Sequence, residues 1–185
     1  MKLLLIAFLL TLAPVFSAKA QDSRIQMTGL DHLAAKASQT VDVNLDERLM
    51  RLASRVFDEK DPDEREVKKL IEGLKGIYVR SFEFDADGQF TDADLETIRT
   101  QLRAPGWTRL VNVTSKKDGM LEVYLLFNGD MVGGMAVLHT DDKELTVVNI
   151  VGPVDVDKLA KLEGQLGIPD LGIQSPKNKT KNDEK

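Results

Sequence analysis

The stretch that most limits how this chain folds is residues 76–113, GIYVRSFEFDADGQFTDADLETIRTQLRAPGWTRLVNV, which holds a strand, a helix and a second strand with the punctuation of each. Residues 77–84 are rich in β-branched and aromatic side chains, and 85–88 (DADG) supply the turn chemistry that stops a strand. Thr91 suits the N-cap of the following helix: its hydroxyl can accept from the amide of Asp94, whose carboxylate reaches back in a variant of the capping box. Phe90 and Leu95 stand where a hydrophobic staple needs them. Leu95, Ile98 and Leu102 recur at helical spacing, and Ala104-Pro105-Gly106 ends the helix, because proline cannot continue it and biases the residue before it towards extended geometry. A new strand starts at Trp107 or Thr108. Strands joined by one helix usually run the same way with a right-handed crossover, so this unit sets a layer of sheet with a helix on it and one covered face.

The chain after this unit is a series of apolar runs separated by turns. Residues 108–115, 120–127, 131–139 and 144–151 are divided by Lys117-Asp118-Gly119, Asn128-Gly129-Asp130 and Asp141-Asp142-Lys143, and the last run stops at Gly152-Pro153. Asp-Gly and Asn-Gly between such runs are strong hairpin signals, because the favoured two-residue turn needs positive φ at both positions. An antiparallel meander is therefore expected. In its second run Leu121, Val123, Leu125 and Phe127 share one face and Glu122 and Tyr124 the other, as for a sheet packed on helices on one side. Gly133 and Gly134 point to a bulge or a close backbone approach in the third run.

Before the central unit, Leu30, Leu33, Ala34 and Ala37 make one stripe of a short helix, and 40–45 (TVDVNL) alternate as a strand. Asp46 caps a helix whose expected buried side is Leu49, Leu52, Ala53, Val56 and Phe57. Asp61-Pro62-Asp63-Glu64 starts another, with proline at the first position and acids in the first turn, and Val67, Leu70, Ile71 and Leu74 facing inward. At the far end Asp155 caps a last helix with Leu159, Leu162 and Leu166 on its apolar side, and Val154 and Leu159 form a staple. The order predicts an α+β fold, a mostly antiparallel sheet of about five to six strands with helices packed on one face.

The first 20 residues are of another kind. Lys2 precedes an apolar run over 3–12, and Ala18-Lys19-Ala20 has small residues where a signal-cleaving enzyme needs them, so 1–20 read as a secretory signal peptide cut before Gln21. The expected organisation is the signal peptide 1–20, a leader 21–29, one domain over 30–168 and a polar disordered tail over 169–185. Losing Lys2 and Lys19 moves the formal charge from −5 to −7, which argues against nucleic acid as a partner. The chain has no cysteine, hence no lipid-attachment cysteine and no disulfide framework. The mature chain retains no transmembrane segment, and a periplasmic or secreted location follows.

LAAKASQTVDVNL, KGIYVRSFEFD, LRAPGWTRLV and ELTVVNIVGPVDVDKLAKLEGQLGIP together resemble the bacterial exported proteins of the domain-of-unknown-function family DUF4252, over nearly all of the mature chain. The resemblance implies no activity and carries no catalytic residue with it. Some members are lipoproteins, a pattern from which this cysteine-free chain departs.

Two constellations point to sites. Asp85, Asp87, Gln89 and Thr91, with Glu96 at the twelfth position, follow the oxygen-ligand spacing of a calcium loop, but the sixth position is Phe90 where glycine makes the turn, and Asp92, Asp94 and Glu96 already serve the first turn of a helix. Arg48, Arg51 and Arg55 fall on one helical stripe able to meet an anionic ligand, or to pair with Glu47 and Glu59 as a solvated face. His32 and His139 are the only histidines, and no serine lies in a nucleophile-elbow pattern. No phosphate-cradling loop, dinucleotide fingerprint or zinc-protease motif occurs. The sequence favours a non-catalytic binding or assembly module of the cell envelope, with a protein partner and no cofactor. The alternatives are a hydrolase-type enzyme using Asp85, Asp87 and Glu96, or a calcium-stabilised domain.

Overall fold

The computed structural model describes residues 23–154 apart from 58, 59 and 118, and apart from the side chains of 63, 66, 70 and 72. The expected signal peptide, the helix over 155–166 and the polar tail lie outside the described residues.

Six strands form one antiparallel sheet: β1 (Gln39–Asp46), β2 (Gly76–Glu83), β3 (Trp107–Ser115), β4 (Gly119–Asn128), β5 (Met131–Thr140) and β6 (Glu144–Val151), in the spatial order β1-β2-β6-β5-β4-β3. The β3-β4-β5-β6 meander turns through Gly119 (φ +75°) and Gly129 (φ +64°), as the hairpin signals require. Every neighbouring pair is antiparallel, so β2 and β3 run the same way, but β6, β5 and β4 stand between them. The β4–β5 register shifts between Leu126, opposite Gly134, and Phe127, opposite Val132, which makes Gly133 the extra residue of a bulge.

A 3₁₀ helix (Thr28–Ala35), α1 (Glu47–Ala53), α2 (Pro62–Glu72) and α3 (Asp92–Leu102) complete the described elements. Asp46 caps α1 by accepting from the Leu49 amide at 2.9 Å. At α3 the Asp94 carboxylate accepts from the Thr91 amide at 2.7 Å and from the Thr91 hydroxyl at 2.8 Å. The two staple residues share one cluster: Leu95 is buried in it and Phe90 packs against it, meeting the Phe84 ring at 5.9 Å.

The helices do not keep to one face. Alternation along the strands separates two apolar clusters. Phe82, Tyr124, Ala136, Leu138, Leu145 and Val147 lie with Leu30 and Leu33 of the 3₁₀ helix and Leu95, Ile98 and Leu102 of α3. Val123, Leu125, Met135, Val137 and Ile150 lie with Met50 of α1, Ile71 of α2, Leu74 and Val154. Both faces of the central strands are therefore covered, and these strands are apolar on both sides for that reason. The expected leader differs too. Ile25 and Met27 are buried in the first cluster, and Asn149, fully buried on β6, accepts from the Ile25 amide at 2.9 Å and donates to the Ser23 carbonyl at 3.0 Å. No periodicity marks these residues because the side-chain amides of Asn149 and Gln101, the latter bonded to both the amide and the carbonyl of Gln26, fasten the segment, not a strand ladder.

Candidate functional site

α1 follows β1 without a loop, so its rotation is set by the strand that feeds it. Met50 and Ser54, one turn apart, point inward and are buried. The expected buried side is corrected accordingly: Leu49 is exposed, Leu52 is 58% and Val56 81% exposed. The helix is also short, seven residues, with Ser54 at its C-cap, so Arg55 and Val56 lie past its end. Arg48, Leu49, Arg51, Leu52 and Arg55, with Asp46, line one open groove of about 620 Å³. The three arginines of the sequence stripe thus share a surface, and apolar side chains share it with them. Arg51 pairs with Glu47 at 2.7 Å, both well exposed, an arrangement of small energetic weight. Glu59, the other expected partner, lies outside the described residues.

The carboxylates of the calcium-like spacing are spread. Glu96 is engaged by Arg103 at 2.7 Å and Arg99 at 3.5 Å, and the hydrogen bond from Arg103 holds its carboxyl below the usual range. The Asp85 carbonyl accepts from Lys143 Nζ at 3.0 Å and the Gln89 carbonyl from Lys36 Nζ at 3.3 Å, so lysines occupy oxygens of the loop. Asp87 lines a separate shallow groove with Asp92, Asp141 and Asp142. Among the described residues no three His, Cys, Asp or Glu side chains converge as metal ligands.

Of the histidines, His139 is half-buried on β5 and His32 joins two elements: its Nδ1 lies 3.1 Å from the Gly29 carbonyl and its Nε2 2.9 Å from Asp94. Burial pushes the Asp94 carboxyl up, but the hydrogen bonds from Thr91 and the neighbouring His32 outweigh it and hold the group below its ordinary value. The folded state thus releases this proton more readily than the unfolded chain. The stabilisation is complete above the unfolded carboxyl's titration and is lost as pH falls through the folded one. Asp94→Asn is expected to cost about 0.5–1 kcal/mol at neutral pH, since the cap is partly solvated. Urea melts at descending pH should show wild type and variant converging below the ordinary carboxyl range; a difference that persists there would assign the cost to packing.

One group escapes sequence reasoning. Glu122, on the face grouped with Tyr124 as the uncovered one, is only 4% exposed beneath α3. Its carboxylate accepts from Arg99 Nε at 3.0 Å, from the Arg109 guanidinium at 3.4 Å and from the Tyr124 hydroxyl at 3.2 Å. Burial, then the Glu122 charge, pushes the Tyr124 phenol up. The available signal was a lone glutamate inside the apolar run MLEVYLLF, with Arg99 set between Ile98 and Leu102 on the helix that must cover it. The group satisfies itself internally, and it fastens α3 to β4.

A family model described as a domain of unknown function (DUF4252) matches residues 35–162. The chain belongs to this family. The DUF4252 match starts in the last turn of the 3₁₀ helix, takes in all six strands and continues past Val154 to Leu162. No curated protein matches the chain. Among the described residues of this DUF4252 chain, no helix is long and apolar enough to cross a membrane.

Proposed function

We propose that this DUF4252 protein is an exported, non-catalytic binding module of the bacterial cell envelope, acting through the surface of α1. The observation that carries the reading is the turn of α1 that leaves Leu49 and Leu52 in solvent beside Arg48, Arg51 and Arg55, with Val56 exposed just past the helix end. A helix that points apolar side chains outward gives up burial its own fold would use, and surface patches of mixed apolar and arginine character favour protein partners. The complementary partner is a protein segment with carboxylates next to apolar side chains. Export rests on the basic start, apolar run and small-residue cleavage pattern of residues 1–20.

The test is crosslinking in cells that express the whole 185-residue sequence, followed by mass spectrometry of what is captured. Reversing Arg48, Arg51 and Arg55 to glutamate should reduce capture of the partner by about tenfold or more, and Leu52→Ser should weaken it further. A partner still captured when all four positions are changed would rule out α1 as the binding surface.

A further inference from the structure

Among the described residues, no strand pairs with the outer side of β1 or of β3, and both strands are exposed along most of their length. An open edge of this kind is a template for a further strand. The two edges are eight and nine residues long, and they differ in sign: β1 carries Asp42 and Asp46 and no base, whereas β3 carries Arg109 and no acid and runs on into Lys116 and Lys117. Asp42 keeps only a 3.4 Å contact with Arg80, and Arg109 only one of 3.4 Å with Glu122, so both stay half-exposed. Apolar side chains share the two edges with these charges, Val41 being 38% exposed on β1 and Val113 50% on β3.

We propose that copies of this chain join edge to edge, β1 of one against β3 of the next, in one continued antiparallel sheet. Five antiparallel pairings separate β1 from β3, so the two strands run opposite ways. A second copy shifted along the sheet, with its α3 face on the same side, therefore brings its β3 antiparallel to β1 of the first. A row of directly opposite valines, Val43, Val79, Val148, Val137, Val123 and Val111, crosses each copy and sets the register. Continuing the row puts the second copy's Val111 opposite Val43, and its Val113 then covers the exposed Val41. The β3 register shifts at Leu110, so beyond that bulge the second copy's Arg109 falls opposite Asn44. Both stand on the α3 face, Arg109 opposite Tyr124 and Asn44 opposite Tyr78 within their own sheets. Asp42 and Asp46 are then the diagonal neighbours of the incoming guanidinium, within reach of a long side chain. Like edges do not fit: β1 on β1 sets acids against acids, and β3 on β3 sets bases against bases. The unlike contact leaves one edge open at each end, so the assembly is head-to-tail.

The chain has no cysteine, so an introduced thiol reports on one position. Val41→Cys and Val113→Cys are made as separate proteins in the full sequence, mixed, and treated with a short bis-maleimide. The mixture should give a crosslinked pair holding one of each, with a yield about fivefold or more above that of either variant alone, and falling on dilution. Val41→Cys mixed with Met131→Cys, an exposed position away from both edges, sets the background. Adding Asp42→Lys to the Val41→Cys protein should cut the yield severalfold, with an unchanged unfolding midpoint showing that the fold is intact. Both thiols in one chain should give a ladder of larger species. A mixed yield no higher than the Met131→Cys background overturns the proposal, as does a yield that Asp42→Lys leaves unchanged in the folded protein. Product from one variant alone that equals the mixed product also overturns it, giving that edge to its own like.

Discussion

Replacing Glu122 by alanine is expected to destabilise the fold by about 3 kcal/mol, the low end for a broken buried ion pair because Arg99 keeps its 3.5 Å contact with Glu96. Arg99 would bear that cost: it is largely buried, and Glu122 sustains its charge against the burial that opposes it. Arg109 adds little, because its side chain is 49% exposed and water can replace the carboxylate at its weak 3.4 Å contact. Removing both charges is a different matter. In Arg99→Met with Glu122→Leu the guanidinium and carboxylate no longer have to be stripped of water, so the double variant should lose less stability than Glu122→Ala alone. Urea unfolding of wild type, Glu122→Ala and the double variant makes the comparison. A Glu122→Ala midpoint within about 0.5 kcal/mol of wild type, the range of ordinary surface changes, would mean that the pair is solvated in solution.

Glu122 also shows where sequence reasoning stops. Strands were legible because their signals are local: Asp-Gly and Asn-Gly carry the backbone geometry of the turn they sit in, and all six strands lie where the apolar runs place them. The caps at Asp46 and Thr91 are local in the same sense. Which face of an element is covered is not local. The alternation in 120–127 separates Glu122 and Tyr124 from Val123 and Leu125 correctly, but only the sheet order, with β3 delivered to the far edge, puts α3 over the glutamate. The phase of α1 fails for a related reason. A seven-residue helix has apolar residues on more than one side, and the direct junction to β1 chooses Met50 over Leu49 and Leu52. The arginine stripe was visible as spacing, whereas the apolar side chains beside it became part of the surface only through that choice. The carboxylates of 85–96 kept their spacing along the chain and not in space, because Glu96 turns to Arg103 once the helix forms.

Gly119→Ala should be the most damaging of the glycine substitutions in the hairpin turns, at about 3 kcal/mol or more, and Gly129→Ala supplies the control. Both glycines have left-handed φ, +75° and +64°, so both substitutions carry the conformational penalty of about 1–2 kcal/mol that a side chain meets there. Around Gly129 a Cβ finds open space. At Gly119 it runs into the carbonyl oxygen of Thr140 and comes within 2.6 Å of the Asp141 Cα. Those atoms are backbone and have no rotamer to move into. Thr140 pairs with Met120 and Leu145, so displacing it loosens both the β4–β5 and β5–β6 ladders at this end. The difference between the two variants in unfolding free energy therefore isolates the close approach of the β3–β4 turn to the end of β5. If the two alanine variants are equally stable, the turn does not rest on Thr140 in solution. In sequence Asp118-Gly119 and Asn128-Gly129 are the same signal; they differ because the meander folds the first turn back onto the end of β5 and leaves the second in solvent.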